Sequence, residues 1–276
     1  MYLLNGEIKR CVEFSDRGFQ YGDGLFETIE IINGSPVFLN QHLQRLDAGC
    51  QSLLIPSPDS ELLKKEASQL AENSNHAVLK LMVTRGSGGR GYRMPDVIHA
   101  TRLFSIHPYP EYPADFVKQG INIRFCNTRL GLSPSLAGIK HMNRLEQVLG
   151  RAEWSSPDIH EGLMMNINSN VIEGTMSNVF LVKDKCLYTP EITQCGVKGV
   201  LRSIIMQLAN RFEIPMLEKN ISKNDIYNAD ELFVTNSIIG IWPVKKVENQ
   251  VYKVGELTQK LQALFLEFKQ QDVYDS

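Results

Sequence analysis

The chain has 276 residues, 43% hydrophobic and 22% charged, which is enough for two modest domains and excludes a disordered polymer. Its net charge of -2, with no dense run of Lys or Arg, excludes a basic surface for nucleic acid and points to small molecules as partners. No window approaches the roughly 18 consecutive apolar residues of a membrane span, and MYLLNGEIKR lacks the apolar stretch of a signal peptide, so a cytoplasmic protein with no membrane partner is expected.

In chain order, YLLNGEI and ETIEIINGSPVFL predict strands, the second broken by a hairpin at Asn33-Gly34, because those two residues accept the left-handed backbone of a tight turn. NQHLQRLDAGCQSLL and SPDSELLKKEASQLAEN carry apolar residues at helical spacing, with Asn40 and Ser60 or a near neighbour as N-caps. AVLKLMVTRG and ATRLFSIHPYP predict two more strands, joined by a glycine-rich stretch. The prolines of PYPEYPADF then mark a linker.

Beyond the linker, GINIRFCNTRL, HEGLMMNIN, VIEGTMSNVFLVKD and KCLYTP predict strands, and Gly199 to Phe212 and Val254 to Lys269 predict helices. The expected fold class is therefore α/β (α+β), two mixed-sheet domains with flanking helices. Their expected extents are 1–108 for the N-terminal domain, 109–120 for the Pro-rich linker and 121–276 for a C-terminal domain carrying Lys140. The cysteines, Cys11, Cys50, Cys126, Cys186 and Cys195, are scattered without the close pairs of a zinc site or disulfide framework, so reduced thiols and no metal are expected.

Two residues suggest chemistry. LAGIKHMNRLEQVLGR delivers Lys140 from a short loop carrying Gly138, just ahead of an amphipathic helix, and Glu173 follows in VIEGTMSNVF. A free lysine, with a pKa of about 10.4, is a poor nucleophile at neutral pH, whereas an imine to pyridoxal phosphate holds an aldehyde ready for exchange with an amine. A carboxylate beside the pyridine nitrogen keeps that ring protonated and strengthens it as an electron sink. Spacing alone leaves the plainer reading open, a solvated lysine and a Glu-Gly turn.

Gly86, Gly88 and Gly91 in RGSGGRGY match G-x-G-x-x-G, but no helix follows, so a flexible hairpin connection is expected rather than a dinucleotide site. Arg85, Arg90 and Arg93 lie on or beside it, and arginine grips a carboxylate with two parallel hydrogen bonds. A mobile, carboxylate-binding lid is one reading of this segment.

RGSGGRGY, RLGLSPSLAGIKHMNRLEQVL and EGTMSNVF together resemble the 4-amino-4-deoxychorismate lyases, a family of the fold-type-IV pyridoxal phosphate enzymes related to D-amino acid and branched-chain aminotransferases. The likeness runs from SDRGFQYGDGLFET to FVTNSIIGIWPV, and GIKHMNRLEQ favours the lyases over the aminotransferases. The resemblance implies pyridoxal 5'-phosphate as cofactor, with Lys140 in imine linkage to it and Glu173 against its pyridine nitrogen. It further implies Arg45, the Val200 and Leu201 amides, Asn236 and Ser237 around its phosphate, and Thr28 beside the reacting carbon. The implied substrate is a small dicarboxylate, and Arg90, Arg93 and Arg129 are the candidates for its two carboxylates. Arg144 and Arg151 are expected to be helix charges or interface contacts, His141 a structural histidine, and the protein a homodimer. Two alternatives stay open: transamination of a D- or branched-chain amino acid, and a non-catalytic ligand-binding module.

Overall fold

The computed structural model describes residues 2–274, and contacts divide the chain into two compact units. The first comprises Met1–Pro110, Ile139–Asn143 and Lys269–Ser276, and the second Glu111–Gly138 and Arg144–Phe268. The first break falls within the proline-rich stretch. Lys140, by contrast, belongs to the first unit rather than the expected C-terminal domain, because its segment hydrogen-bonds to Gly24 and Phe26 of that unit.

The first unit contains β1 (Tyr2–Leu4), α1 (Arg17–Tyr21), β2 (Gly24–Ile32), β3 (Ser35–Pro36), α2 (Leu39–Leu53), α3 (Ser60–Ala71), β4 (His76–Thr84) and β5 (Thr101–Pro108). Its five strands form an antiparallel sheet ordered β1-β5-β4-β2-β3. Asn33 and Gly34 turn the hairpin with φ of 49° and 82°, the paired left-handed geometry that the dipeptide favours. Leu25, Ile29 and Ile31 of β2 and Leu79, Leu81 and Val83 of β4 are buried in one core with Leu43, Leu46 and Cys50 of α2. Gly49 lets α2 approach closely, since a Cβ there would meet the Leu25 side chain at 2.9 Å.

The helix caps differ in part from expectation. Asp59 caps α3, its carboxylate accepting from the Glu61 and Leu62 amides at 2.8 and 3.4 Å. Asn40 lies inside α2. Phe38, buried and with φ of 54°, precedes that helix and donates its N–H to Asp272 at 2.6 Å, so burial of an aromatic ring sets the start instead of a polar cap.

The second unit contains α4 (Asp115–Gln119), β6 (Ile121–Leu130), α5 (Leu145–Arg151), β7 (Glu161–Asn166), β8 (Val171–Gly174), β9 (Asn178–Lys183), β10 (Cys186–Pro190), α6 (Val200–Arg211), β11 (Met216–Lys219), α7 (Lys223–Tyr227), β12 (Glu231–Asn236), β13 (Gly240–Val247), β14 (Gln250–Val251) and most of α8 (Glu256–Tyr274). A mixed sheet runs β11-β10-β9-β12-β13-β6-β7-β8, with β14 paired to β13. β6, β7, β9 and β12 contribute Ile123, Leu163, Leu181 and Val234 to its core. The short helix α4 occupies part of the expected linker. No helix among the described residues is long and apolar enough to cross a membrane.

Candidate active site

In the first unit, the segment after Gly138 lies along the start of β2. Phe26 donates its N–H to the Lys140 carbonyl at 3.1 Å, Met142 donates to the Gly24 carbonyl at 2.9 Å, and His141 bridges Leu25. These bonds fix the half-buried Lys140, whose Nζ lies 4.3 Å from the centre of the Phe26 ring. Side chains alternate across a strand, so Thr28 shares the face of Phe26. Lys80 of β4 pairs directly with Thr28, and its Nζ lies 5.5 Å from the same ring. Lys140, Thr28 and Lys80 are therefore gathered around Phe26.

Sequence reasoning missed Lys80. The signal was alternation, because Leu79, Leu81 and Val83 are fully buried and leave Lys80 on the opposite face of β4.

Glu27 points the other way from Thr28 and is buried at 1% exposure. It is not left alone there, for His42 of α2 contacts its Oε2 through Nδ1 at 2.6 Å. Arg45, one turn later, grips both oxygens, donating from Nε to Oε1 at 2.8 Å and from Nη2 to Oε2. Burial works to raise the Glu27 pKa, but the Arg45 charge and the His42 and Arg45 hydrogen bonds outweigh it and hold the carboxyl at about 2. Burial lowers the His42 pKa against the pull of Glu27, so the imidazole is neutral at pH 7. Arg45 is thus a pre-oriented cation with a dedicated carboxylate.

The second unit presents a different set. Glu173 of β8 is buried at 4% exposure and oriented from two sides, accepting from the Val197 amide at 2.8 Å and the Gln147 side chain at 3.2 Å. The chain then passes Gly199, which caps α6 without any side-chain hydrogen bond. The leading amides of a helix have no intrahelical acceptor, so the Val200 and Leu201 N–H groups could hold an anion. Asn178 steers the approach by accepting from the Gly199 N–H at 3.1 Å and donating to the Val197 carbonyl at 2.9 Å.

Asn236 donates its side-chain amide to the Met176 carbonyl at 2.9 Å and accepts from the Ile238 and Ile239 amides at 2.8 and 2.9 Å. Its side chain is committed to those turns. Half-buried Ser237 sits inside the second of them. These groups fit a phosphorylated cofactor: a helix end with no side-chain cap for the phosphate, and a buried, oriented carboxylate to accept from a protonated ring nitrogen.

The arginines divide into two groups. Arg85 is buried and structural, donating twice to Asp23 at 2.8 and 2.9 Å and to the Leu53 and Leu54 carbonyls at 2.7 Å, so it has no part in a lid. Arg90 and Arg93 are exposed on the glycine-rich loop, Arg93 paired with Asp96 at 2.9 Å. Arg129 is exposed on β6. Arg144 is half-buried, with burial lowering its pKa while Glu173 and Glu146 oppose the shift, and Arg151 covers the Trp154 ring at 4.6 Å. No cluster of acidic, histidine and cysteine side chains suited to a metal ion is present among the described residues.

Comparison with known proteins gives one consistent family. The amino-transferase class IV family matches residues 24–247. An aminodeoxychorismate lyase from Vibrio harveyi is 34% identical over 266 residues, covering 95% of this chain and 98% of the relative. The crystal structure of 4-amino-4-deoxychorismate lyase from Pseudomonas aeruginosa superposes with a TM-score of 0.94 at 42% identity, covering 97% of this chain and 98% of that one. A D-alanine aminotransferase from Listeria monocytogenes is 30% identical over 265 residues, covering 93% of this chain and 90% of the relative.

Proposed function

The chain belongs to the amino-transferase class IV family, and we propose that it converts 4-amino-4-deoxychorismate to 4-aminobenzoate and pyruvate with pyridoxal 5'-phosphate. The observation that carries this reading is the gathering of Lys140 and Thr28 around Phe26, the hydroxyl on the β2 face that Phe26 shares and the lysine on a segment hydrogen-bonded along that strand. The cofactor, when bound, supplies the electron sink that makes a carbon-bound proton removable.

Lys140 would hold the cofactor, and its amine takes the proton from C4 of the substrate ring. The C3–O bond then breaks, the enolpyruvyl group leaves and is protonated to pyruvate, and the ring becomes aromatic. Thr28 stands beside the reacting carbon and steers its neighbour toward elimination. In the second unit Glu173 would keep a proton on the ring nitrogen, and the α6 amides at Val200 and Leu201 with the Asn236-Ser237 turn would hold the phosphate, to which the family resemblance also assigns Arg45. Because the side chain of Asn236 is spent within its turn, that residue contributes through its backbone. The substrate's two carboxylates need cations, and Arg90, Arg93 and Arg129 are assigned to them, with Lys80 added from its place opposite Thr28.

The test is direct. Supplied with 4-amino-4-deoxychorismate, the enzyme releases pyruvate and 4-aminobenzoate in equal amounts, and Lys140→Ala releases neither. A second reading, transamination, is favoured by the Listeria relative. Glutamate and pyruvate formed from D-alanine and 2-oxoglutarate, with no pyruvate released from 4-amino-4-deoxychorismate, would select it.

We also assign a homodimer in the cytoplasm. Leu145, Val148 and Leu149 on α5 are 78%, 60% and 61% exposed, an apolar surface suited to a second copy and measurable by light scattering. A dianionic substrate that crosses no bilayer unaided fits that compartment.

A further inference from the structure

The glycine-rich loop is moulded on a residue that the proposed chemistry leaves unused. Arg17 is buried at 4% exposure in α1, and its Nε donates to Asp23 Oδ2 at 2.9 Å. Its Nη1 reaches into the loop, donating to the Gly91 carbonyl at 2.9 Å and lying 3.5 Å from the carbonyls of Gly88 and Arg93. The loop's base is tied down as well, since Arg17 N–H donates to the Gly86 carbonyl at 2.9 Å and Gly86 N–H donates to Thr84 Oγ1 at 3.0 Å.

Gly86, Gly88, Gly89 and Gly91 all have positive φ, between 58° and 116°. Such a path is open to a chain without side chains, and it is costly to order unless something organises it. Here the organiser is a planar guanidinium, whose fork of donors suits several carbonyls at once. Gly89 fits tightly around it: a Cβ there would meet the Arg93 carbonyl at 2.4 Å and Arg17 Nη1 at 3.3 Å. On its far side Arg17 stacks on Tyr21, 4.9 Å from the ring centre, and Tyr21 contacts Tyr92 of the loop at 5.7 Å.

We propose that Arg17 is the internal former of the loop, holding Arg90 and Arg93 in the arrangement that binds the substrate's carboxylates, and so sets substrate affinity without touching substrate. Asp23 shares its carboxylate between Arg17 and Arg85, which locks the former to the sheet beneath. A loop already folded around Arg17 loses little freedom on binding, whereas a loop without its former must be ordered at that moment. This inference rests on the lyase reading for its kinetic part and on geometry alone for the loop.

The experiment uses the cofactor-loaded enzyme and two variants, Arg17→Met, which removes the former, and Gly89→Ala, which breaks the seat from the loop side and leaves the Arg17-Asp23-Arg85 cluster in place. Each should raise KM for 4-amino-4-deoxychorismate on the order of tenfold while kcat and the cofactor's visible band change by less than about twofold. Trypsin should cut both variants after Arg90 and Arg93 faster than it cuts the wild type. Unchanged KM with unchanged cleavage overturns the proposal, as does a fall in kcat or cofactor band with KM unmoved. If Arg17→Met does not fold, Gly89→Ala decides. If the wild type forms no pyruvate, the lyase reading fails, and cleavage alone then decides whether Arg17 holds the loop.

Discussion

Lys140 Nζ lies 4.3 Å from the centre of the Phe26 ring, and the backbone of Phe26 donates to the Lys140 carbonyl at 3.1 Å. One strand residue therefore fixes both the main chain and the amine of the reactive segment. Replacing Phe26 with Leu keeps the backbone bond and removes the ring against which the amine packs. The expected outcome is a fall in the rate of pyruvate release of up to about a hundredfold, the scale of a small misplacement of a reacting group, with folding preserved. Single-turnover kinetics measure it, and a rate equal to wild type would show that the ring does not position the amine.

Glu27 links the site to acid stability. Its carboxyl is held at about 2 against an ordinary 4.5, so the folded state binds that proton more weakly than the unfolded chain. Its stabilisation is then fully present above about pH 4.5 and is lost as pH falls toward 2, amounting to on the order of 3 kcal/mol. Urea unfolding at pH 7 and pH 3 measures the difference. Glu27→Gln should be less stable at pH 7 and should flatten the pH dependence between those values; an unchanged slope would remove Glu27 from the account.

Much of this was legible in the sequence because the signals are local. Asn33-Gly34 turns where two left-handed residues are needed, and the strands and helices around GIKHMNRLEQ lie near their expected positions. The missed features are contacts between distant residues. Arg85 reads as a loop arginine until Asp23, 62 positions earlier, is seen to take its guanidinium, and the loop reads as flexible until Arg17 is seen inside it. Lys80 carries no signal within AVLKLMVTRG because its partner Thr28 lies on a strand far from it in the chain. Phe38 sets the start of α2 through an N–H bonded to Asp272, 234 positions away, which no capping pattern contains.

Lys80 gives the next test. It stands opposite Thr28 with its ammonium over the Phe26 ring, a cation on the face that carries Lys140. If it binds a substrate carboxylate, Lys80→Met should raise KM on the order of tenfold, the scale of one charged hydrogen bond, and leave the cofactor's absorbance unaltered. Lys80→Arg should recover part of the affinity. A methionine variant with normal KM would return Lys80 to the role of a packing residue.

The start of α6 separates phosphate binding from every other cofactor contact. Gly199 precedes the Val200 and Leu201 amides, and a Cβ at that position would meet Asn178 Oδ1 at 2.2 Å, the oxygen that accepts the Gly199 N–H. Gly199→Ala must therefore push the helix entrance away from Asn178 and turn its leading amides. The helix-end contribution to an anion is about 0.3–2 kcal/mol, so pyridoxal 5'-phosphate affinity should fall by up to roughly thirtyfold. Pyridoxal, which lacks the phosphate but forms the same lysine linkage, should bind the variant and the wild type equally. Absorbance titrations of both compounds measure the contrast. Equal weakening of the two would mean that the substitution disorders the second unit as a whole and that the α6 amides do not hold the phosphate.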